Sequence, residues 1–319
     1  MHFTVAVTGV AALIGIAAVA ASGTWQGSPA SEAPKPWLIA HRGASAYAPE
    51  NTLPAFRLAA EQGSTFVEFD VRLTKDRQVV CLHDESLERT TDVEEVFPDR
   101  FRSVTGSGGQ RTRGWPLADF TLEELRQLDA GAWFGPSFRG TRIPTFAETI
   151  DALRGRSGLF IELKAPEQYE GIERMILAQL KASGLDQPGA DPRTPVLLQS
   201  FTASSLQLLA GTGTKLPLHL LIGAKDAPQW LTPGGLARLK AFASGISPEK
   251  TILKDQAAGI ARARQMGLLI TPYTFRASAV IGFPDVRAEM AHFLDALEVD
   301  GVITDNPDQM PAAAAPRRR

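Results

Sequence analysis

Apolar positions in this chain recur in short blocks of about four to eight residues, separated by longer stretches where they recur every three to four. The short blocks are "WLIA" (37–40), "TFVEFDV" (65–71), "LFIELK" (159–164), "PVLLQS" (195–200), "PLHLLI" (217–222), "FASGI" (242–246), "LLITPYTF" (268–275) and "DGVITD" (300–305). They are mostly apolar on both faces, as strands of a buried parallel sheet are. Helical spacing fills the gaps, most clearly at 53–62, 121–128, 146–154, 168–183, 202–210, 255–266 and 284–298. Thr121 followed three residues on by Glu124 reads as a capped helix start. Eight strands alternating with helices predict an α/β fold, a closed (β/α)8 TIM barrel, with an open doubly wound sheet as the alternative. No GxGxxG fingerprint follows the first strand, which counts against the open sheet. One connection breaks the rhythm: nearly ninety residues, 72–158, separate the second and third blocks. It opens as a hairpin around Lys75–Arg77 and becomes a polar excursion over about 85–144, long enough to be functional.

The N-terminus changes the picture. No Lys, Arg, Asp or Glu precedes Glu32, and Phe3 to Ala21 is almost wholly apolar. Residues 1–23 therefore resemble a secretory signal peptide, although the usual basic start is missing; an uncleaved membrane anchor is the alternative. Residues 24–36 read as a tether, 37–311 as the barrel with its insertion, and 312–319 as a disordered tail. The expected location is outside the cytoplasm, periplasmic or secreted, with no stable membrane insertion of the mature domain. The formal net charge of −2 gives no ground for a nucleic-acid partner. Cys81 is the only cysteine, so disulfides within the chain and cysteine metal clusters are excluded. It lies in the alternating run "QVVCLHD", two residues before His83, as a filler of the core.

The candidate chemistry sits at the strand ends. Glu68 and Asp70 share one face of their strand. Facing the helices they would be buried without partners, so an inward position near the rim is expected. Glu162 and Lys164 repeat the pattern on the next strand. Three carboxylates in one mouth repel one another, and Lys164 alone cannot neutralise them. A hard cation with oxygen ligands, Ca2+ or Mg2+, can. His41 and His83 each end a strand-like run, and imidazole titrates near neutral pH, which suits a general acid and a general base. Arg42 offers a planar fork for a phosphate oxygen, and Gly43 permits close backbone approach. His219, in mid-strand, and His292, on a predicted helix, are expected to be structural or surface residues.

The blocks "HRGASAYAPENTLPAF", "EFDVRLTKDRQVVCLHD", "LDAGAWFGPSFRGTRIPTFAE", "IELK", "QSF" and "DGVITDNP" resemble, in order, the motifs of the glycerophosphodiester phosphodiesterase family. The resemblance covers about residues 38–308; "TTDVEEVFPDR" and "PYTFR" resemble its exported bacterial subtype. It implies a barrel with an insertion after the second strand, and cleavage of glycerophosphodiesters to glycerol 3-phosphate and an alcohol with a divalent metal. By that resemblance Glu68, Asp70 and Glu162 are metal ligands, and His41 and His83 the acid–base pair. Arg42 and Lys164 contact phosphate, Tyr273 lines the substrate pocket, and Glu50 and Asn51 support the site. Two rivals remain at this stage. A phospholipase D-type enzyme acting on lysophospholipid or sphingolipid would show an apolar insertion and an exposed apolar rim. A non-catalytic binder of phosphorylated polyols would lack catalytic groups. The polar insertion is expected to form a lid that sets the choice of head group.

Overall fold

The computed structural model describes residues 1–2, 35–105 and 109–312. Nearly all of the expected signal (1–23), most of the tether and nearly all of the tail lie outside the described residues. Among the described residues no helix is long and apolar enough to cross a membrane. The strands are β1 (Trp37–Ala40), β2 (Phe66–Leu73), β3 (Val79–Cys81), β4 (Arg102–Thr105), β5 (Arg111–Gly114), β6 (Gly158–Leu163), β7 (Val196–Ser200), β8 (Leu218–Ile222), β9 (Gly245–Pro248), β10 (Leu269–Ile270) and β11 (Gly301–Thr304). Hydrogen-bonded neighbours run β10-β9-β8-β7-β6-β2-β1-β11, all parallel. The ends meet: the Asp300 amide donates to the Ile270 carbonyl at 2.8 Å, and the Phe275 amide to that of Ile303 at 2.9 Å. The sheet is therefore a closed α/β barrel, and the open-sheet alternative falls.

The two faces of the strands separate as their period of two requires. Ile39, Phe66, Phe160, Leu197 and Ile303 pack together inside the barrel. Val67, Phe69 and Val71 belong to the larger core, with Phe56 and Phe146 of the surrounding helices. Glu68 and Asp70, in register with Phe66, fall on the inner face.

Most expected elements are present, with instructive shifts. "LLITPYTF" forms ladder only at Leu269–Ile270; Pro272 has no amide to donate, and the chain continues by single bridges at Tyr273 and Phe275. The block at 242–246 gives a strand three residues later, Gly245–Pro248. The helix Pro233–Lys240 was not expected, because "TPGGLARLK" carries two glycines. Its start is nonetheless marked: Thr232 caps the Gly235 amide and Pro233 takes the first turn. Gly235 is needed for packing, since a Cβ there would lie 2.3 Å from the Gln229 carbonyl oxygen.

The excursion after β2 begins as read. β3 returns antiparallel to β2, with Val71 opposite Cys81. Beyond it lies more than a polar lid. Val80, Leu82, Leu87, Val93, Trp115, Leu117, Phe120, Leu125, Leu128, Ala130 and Ile143 form a second buried core. Thr121 and Glu124 make the expected capping box, and β4 and β5 form an exposed hairpin.

Candidate active site

His41, Arg42 and Gly43 follow directly from β1, where the chain turns sharply. Arg42 has φ 54° and Gly43 φ 83°. A Cβ on Gly43 would lie 2.7 Å from the backbone of Ala55, so only glycine fits behind the arginine. The Arg42 amide donates to Glu68 Oε2 at 2.8 Å, tying the turn to β2. The register of β2 with β6 sets Asp70 beside Glu162. One carboxylate oxygen from each of Glu68, Asp70 and Glu162 lies within 4.8 Å of the others, and all three residues are buried.

The electrostatics describe a crowded anionic centre. Burial, then the neighbouring charges of Asp70 and Glu162, raise Glu68 well above the usual carboxylate range. Burial also raises Glu162, against the opposing charge of Lys164. Asp70 goes the other way: burial would raise it, but Lys164 and Arg42 outweigh that and lower it. Lys164 Nζ lies 2.7 Å from Glu162 Oε1 and 3.4 Å from Asp70 Oδ1. Asn51 donates to Asp70 Oδ2 at 2.7 Å and accepts from the Asp70 amide at 3.1 Å, fixing that carboxylate. Two cationic side chains against three buried carboxylates leave room for a hard cation, and the all-oxygen donor set fits Ca2+ or Mg2+.

Both histidines use Nδ1 in the same way. His41 Nδ1 bonds Asp305 Oδ1 at 2.6 Å, and Arg276 Nε donates to the other Asp305 oxygen at 2.7 Å. His83 Nδ1 bonds Asp84 Oδ1 at 2.6 Å, and Arg89 Nε donates to Asp84 Oδ2. With Nδ1 held by a carboxylate, Nε2 is the nitrogen left to exchange protons. Burial and the adjacent Arg42 lower the His41 pKa, partly offset by Asp305. The His83 backbone is clamped too: Arg72 donates to its carbonyl at 2.8 and 3.0 Å.

A cavity of about 350 Å3 opens at this end of the barrel. His41, Arg42, Glu68, His83, Glu162, Lys164 and Tyr273 all line it. Glu50 and Asn51 stand behind it: Glu50 accepts from Arg42 at 2.9 Å. The remainder of the wall comes from Gln199, Phe201, Leu221, Glu249–Thr251, Thr274, Arg276, Ala279, Ile281 and Ile303, which sequence reasoning did not assign. None of the described residues of 85–144 lines it, so among them the expectation that the insertion shapes the pocket is not met. The exposed apolar side chains Phe201 (45% exposed) and Ile281 (65%) stand at the mouth. Asp305 lay within the quoted "DGVITDNP", but nothing local marked it as the partner of His41, 264 residues away. His219 is buried inside the barrel and His292 is exposed on its helix, as expected. Cys81 is buried, bonds Thr149, and is pushed up to about 12, so it stays an unreactive thiol.

A model of the glycerophosphoryl diester phosphodiesterase family matches residues 41–309. A glycerophosphodiester phosphodiesterase of Bacillus subtilis is 31% identical over 278 residues, covering 85% of this chain and 83% of the relative. One from Caldanaerobacter subterraneus is 32% identical over 279 residues, covering 86% and 96%. Among solved structures, an Oleispira antarctica phosphodiesterase in complex with the product sn-glycerol-3-phosphate superposes with TM-score 0.67 at 28% identity, covering 86% of this chain and 95% of that one.

Proposed function

Since the chain belongs to the glycerophosphoryl diester phosphodiesterase family and is a glycerophosphodiester phosphodiesterase, we propose that it hydrolyses small, water-soluble glycerophosphodiesters to sn-glycerol 3-phosphate and an alcohol, with a divalent cation and proton exchange by His41 and His83. One observation carries this reading: two carboxylate-anchored histidines and a cluster of three buried carboxylates line the same cavity.

Glu68, Asp70 and Glu162 are the residues that would hold the cation. When bound, it supplies positive charge against the phosphate oxygens. The chain's own groups do the rest. Arg42, whose Nε faces Asp70 Oδ2 at 3.5 Å and whose terminal nitrogen bonds Glu50 at 2.9 Å, presents its positive fork at the cavity wall to a phosphate oxygen. Lys164 adds a second positive charge at the same wall. One histidine takes the proton of the attacking hydroxyl through Nε2, and the other returns a proton to the leaving alcohol. The attacking oxygen is a water or the substrate's own glycerol 2-hydroxyl; trapping a cyclic phosphate distinguishes the two.

The test is release of glycerol 3-phosphate from glycerophosphocholine, with and without chelator. Turnover that stops on chelation and returns with Ca2+ or Mg2+ is expected; full turnover after exhaustive chelation overturns the cation assignment. Replacing His41 or His83 by Ala is expected to cost on the order of 100-fold or more in kcat. A second reading, phospholipase D-type action on lysophospholipid, is favoured by the exposed Phe201 and Ile281 at the mouth. Preference for micellar lysophosphatidylcholine over glycerophosphocholine would select it.

A further inference from the structure

Two of the groups assigned above, His83 and Arg42, reach the cavity from different parts of the chain, yet one side chain connects them. Arg89 Nε donates to Asp84 Oδ2, whose other oxygen holds His83 Nδ1 at 2.6 Å. The same guanidinium donates through both terminal nitrogens to Glu50, at 2.9 and 2.7 Å. Glu50 Oε1 in turn accepts from Arg42 at 2.9 Å. From these contacts we propose that Arg89 is a positioning residue: by bridging Asp84 and Glu50 it holds the proton-exchanging imidazole of His83 and the phosphate-binding fork of Arg42 in register.

The geometry favours this over a surface ion pair. An isolated exposed pair does little, but a fork that fills both edges fixes direction as well as charge. Burial pushes Glu50 up, and the hydrogen bonds from Arg89 with the charge of Arg42 more than reverse that, so Glu50 stays ionised. The position of Arg89 is itself set by the second core. Leu87, two residues earlier, is fully buried there, and its amide bonds the Trp115 carbonyl at 3.0 Å. The insertion thus contributes to the active site without lining it. Lysine cannot replace Arg89, because a single ammonium does not offer the two edges that two carboxylates need.

The inference rests on the roles given to His83 and Arg42, so variants of those residues run beside those of Arg89. Arg89→Ala is expected to lower kcat/KM for glycerophosphocholine about 10- to 100-fold, the usual range for a residue that orients active-site groups. Its melting temperature and its cation-binding midpoint should match the parent. Because Arg89 is 44% exposed at its side chain, free guanidinium at low millimolar concentration should enter the gap and restore turnover severalfold. Arg89→Lys should recover only part. Near-parental kcat/KM in Arg89→Ala overturns the proposal, as does a loss that follows melting temperature and ignores guanidinium. Should Arg89→Ala fail to fold, full kcat/KM in a stable Arg89→Lys overturns it. If His83→Ala and Arg42→Ala themselves keep their turnover, the acid–base reading fails, whatever Arg89 does.

Discussion

At the scale of single residues, the groups around each histidine set it apart from the others. His41 and His83 each meet a carboxylate and the cavity, whereas His219 meets rings. It lies between Trp37 (6.4 Å, stacked) and Phe160 (5.6 Å, edge-on), with Nδ1 near Thr271 Oγ1 at 3.2 Å and Nε2 unpaired. Burial lowers its pKa from 6.5 to about 3. Between those values the unfolded chain binds a proton that the folded chain refuses. Stability present above pH 6.5 is therefore lost as pH falls towards 3, at about 1.4 kcal/mol per pH unit. In urea titrations at pH 7 and pH 5, the parent should lose about 2 kcal/mol more than His219→Leu, since groups common to both cancel. Parallel losses would mean that His219 protonates inside the barrel. The neutral, structural character of this histidine was legible from its place in "LHLL". The carboxylate partner of His41 was not, because Asp305 reaches it only when the last strand closes against the first.

At the scale of elements, legibility followed burial. Strands enclosed on both faces read as apolar runs, so β1, β2, β6, β7, β8 and β11 were found within about two residues. Helix Pro233–Lys240 is not legible because of its two glycines, of which Gly235 serves packing against the preceding turn, a tertiary demand that overrides propensity. The insertion reads in the sequence as a polar excursion. Its scattered apolar residues lack a period, and only folding gathers them into a second core. The strands β4 and β5 extend from that core, with most of their residues exposed and none of them lining the cavity. Replacing 103–112 with a short turn should therefore leave kcat/KM for glycerophosphocholine within about threefold of the parent. Phe201→Ala, by contrast, removes a ring packed edge-on against Tyr273 at 5.8 Å and should raise KM. A shifted head-group preference in the shortened hairpin, with none in Phe201→Ala, would return specificity to the insertion.

At the scale of the whole molecule, barrel closure and the anionic centre are linked. Asp70 and Glu162 stand side by side only because β2 pairs with β6 across the long excursion, and Glu68 joins them from the same face. In the unfolded chain these oxygens are far apart, so a cation that binds the three together binds the folded state selectively. Such a ligand stabilises by mass action, about 2.7 kcal/mol at a hundred times its Kd. For a chain of this size that corresponds to a rise in melting temperature of several degrees, on the order of 5 °C. Thermal scans against Ca2+ and Mg2+ should show this rise growing logarithmically with concentration and vanishing with chelator. Asp70→Asn and Glu68→Gln should abolish the rise. In the absence of cation Glu68→Gln should melt no lower than the parent, because it removes charge from a crowded buried cluster, whereas Asp70→Asn should melt lower, because Lys164 and Arg42 hold Asp70 ionised in the folded state. The wet assay and the thermal scan then report on the same three oxygens by independent routes. A parent whose melting temperature ignores both cations, at concentrations that support turnover, would place the metal elsewhere than on Glu68, Asp70 and Glu162.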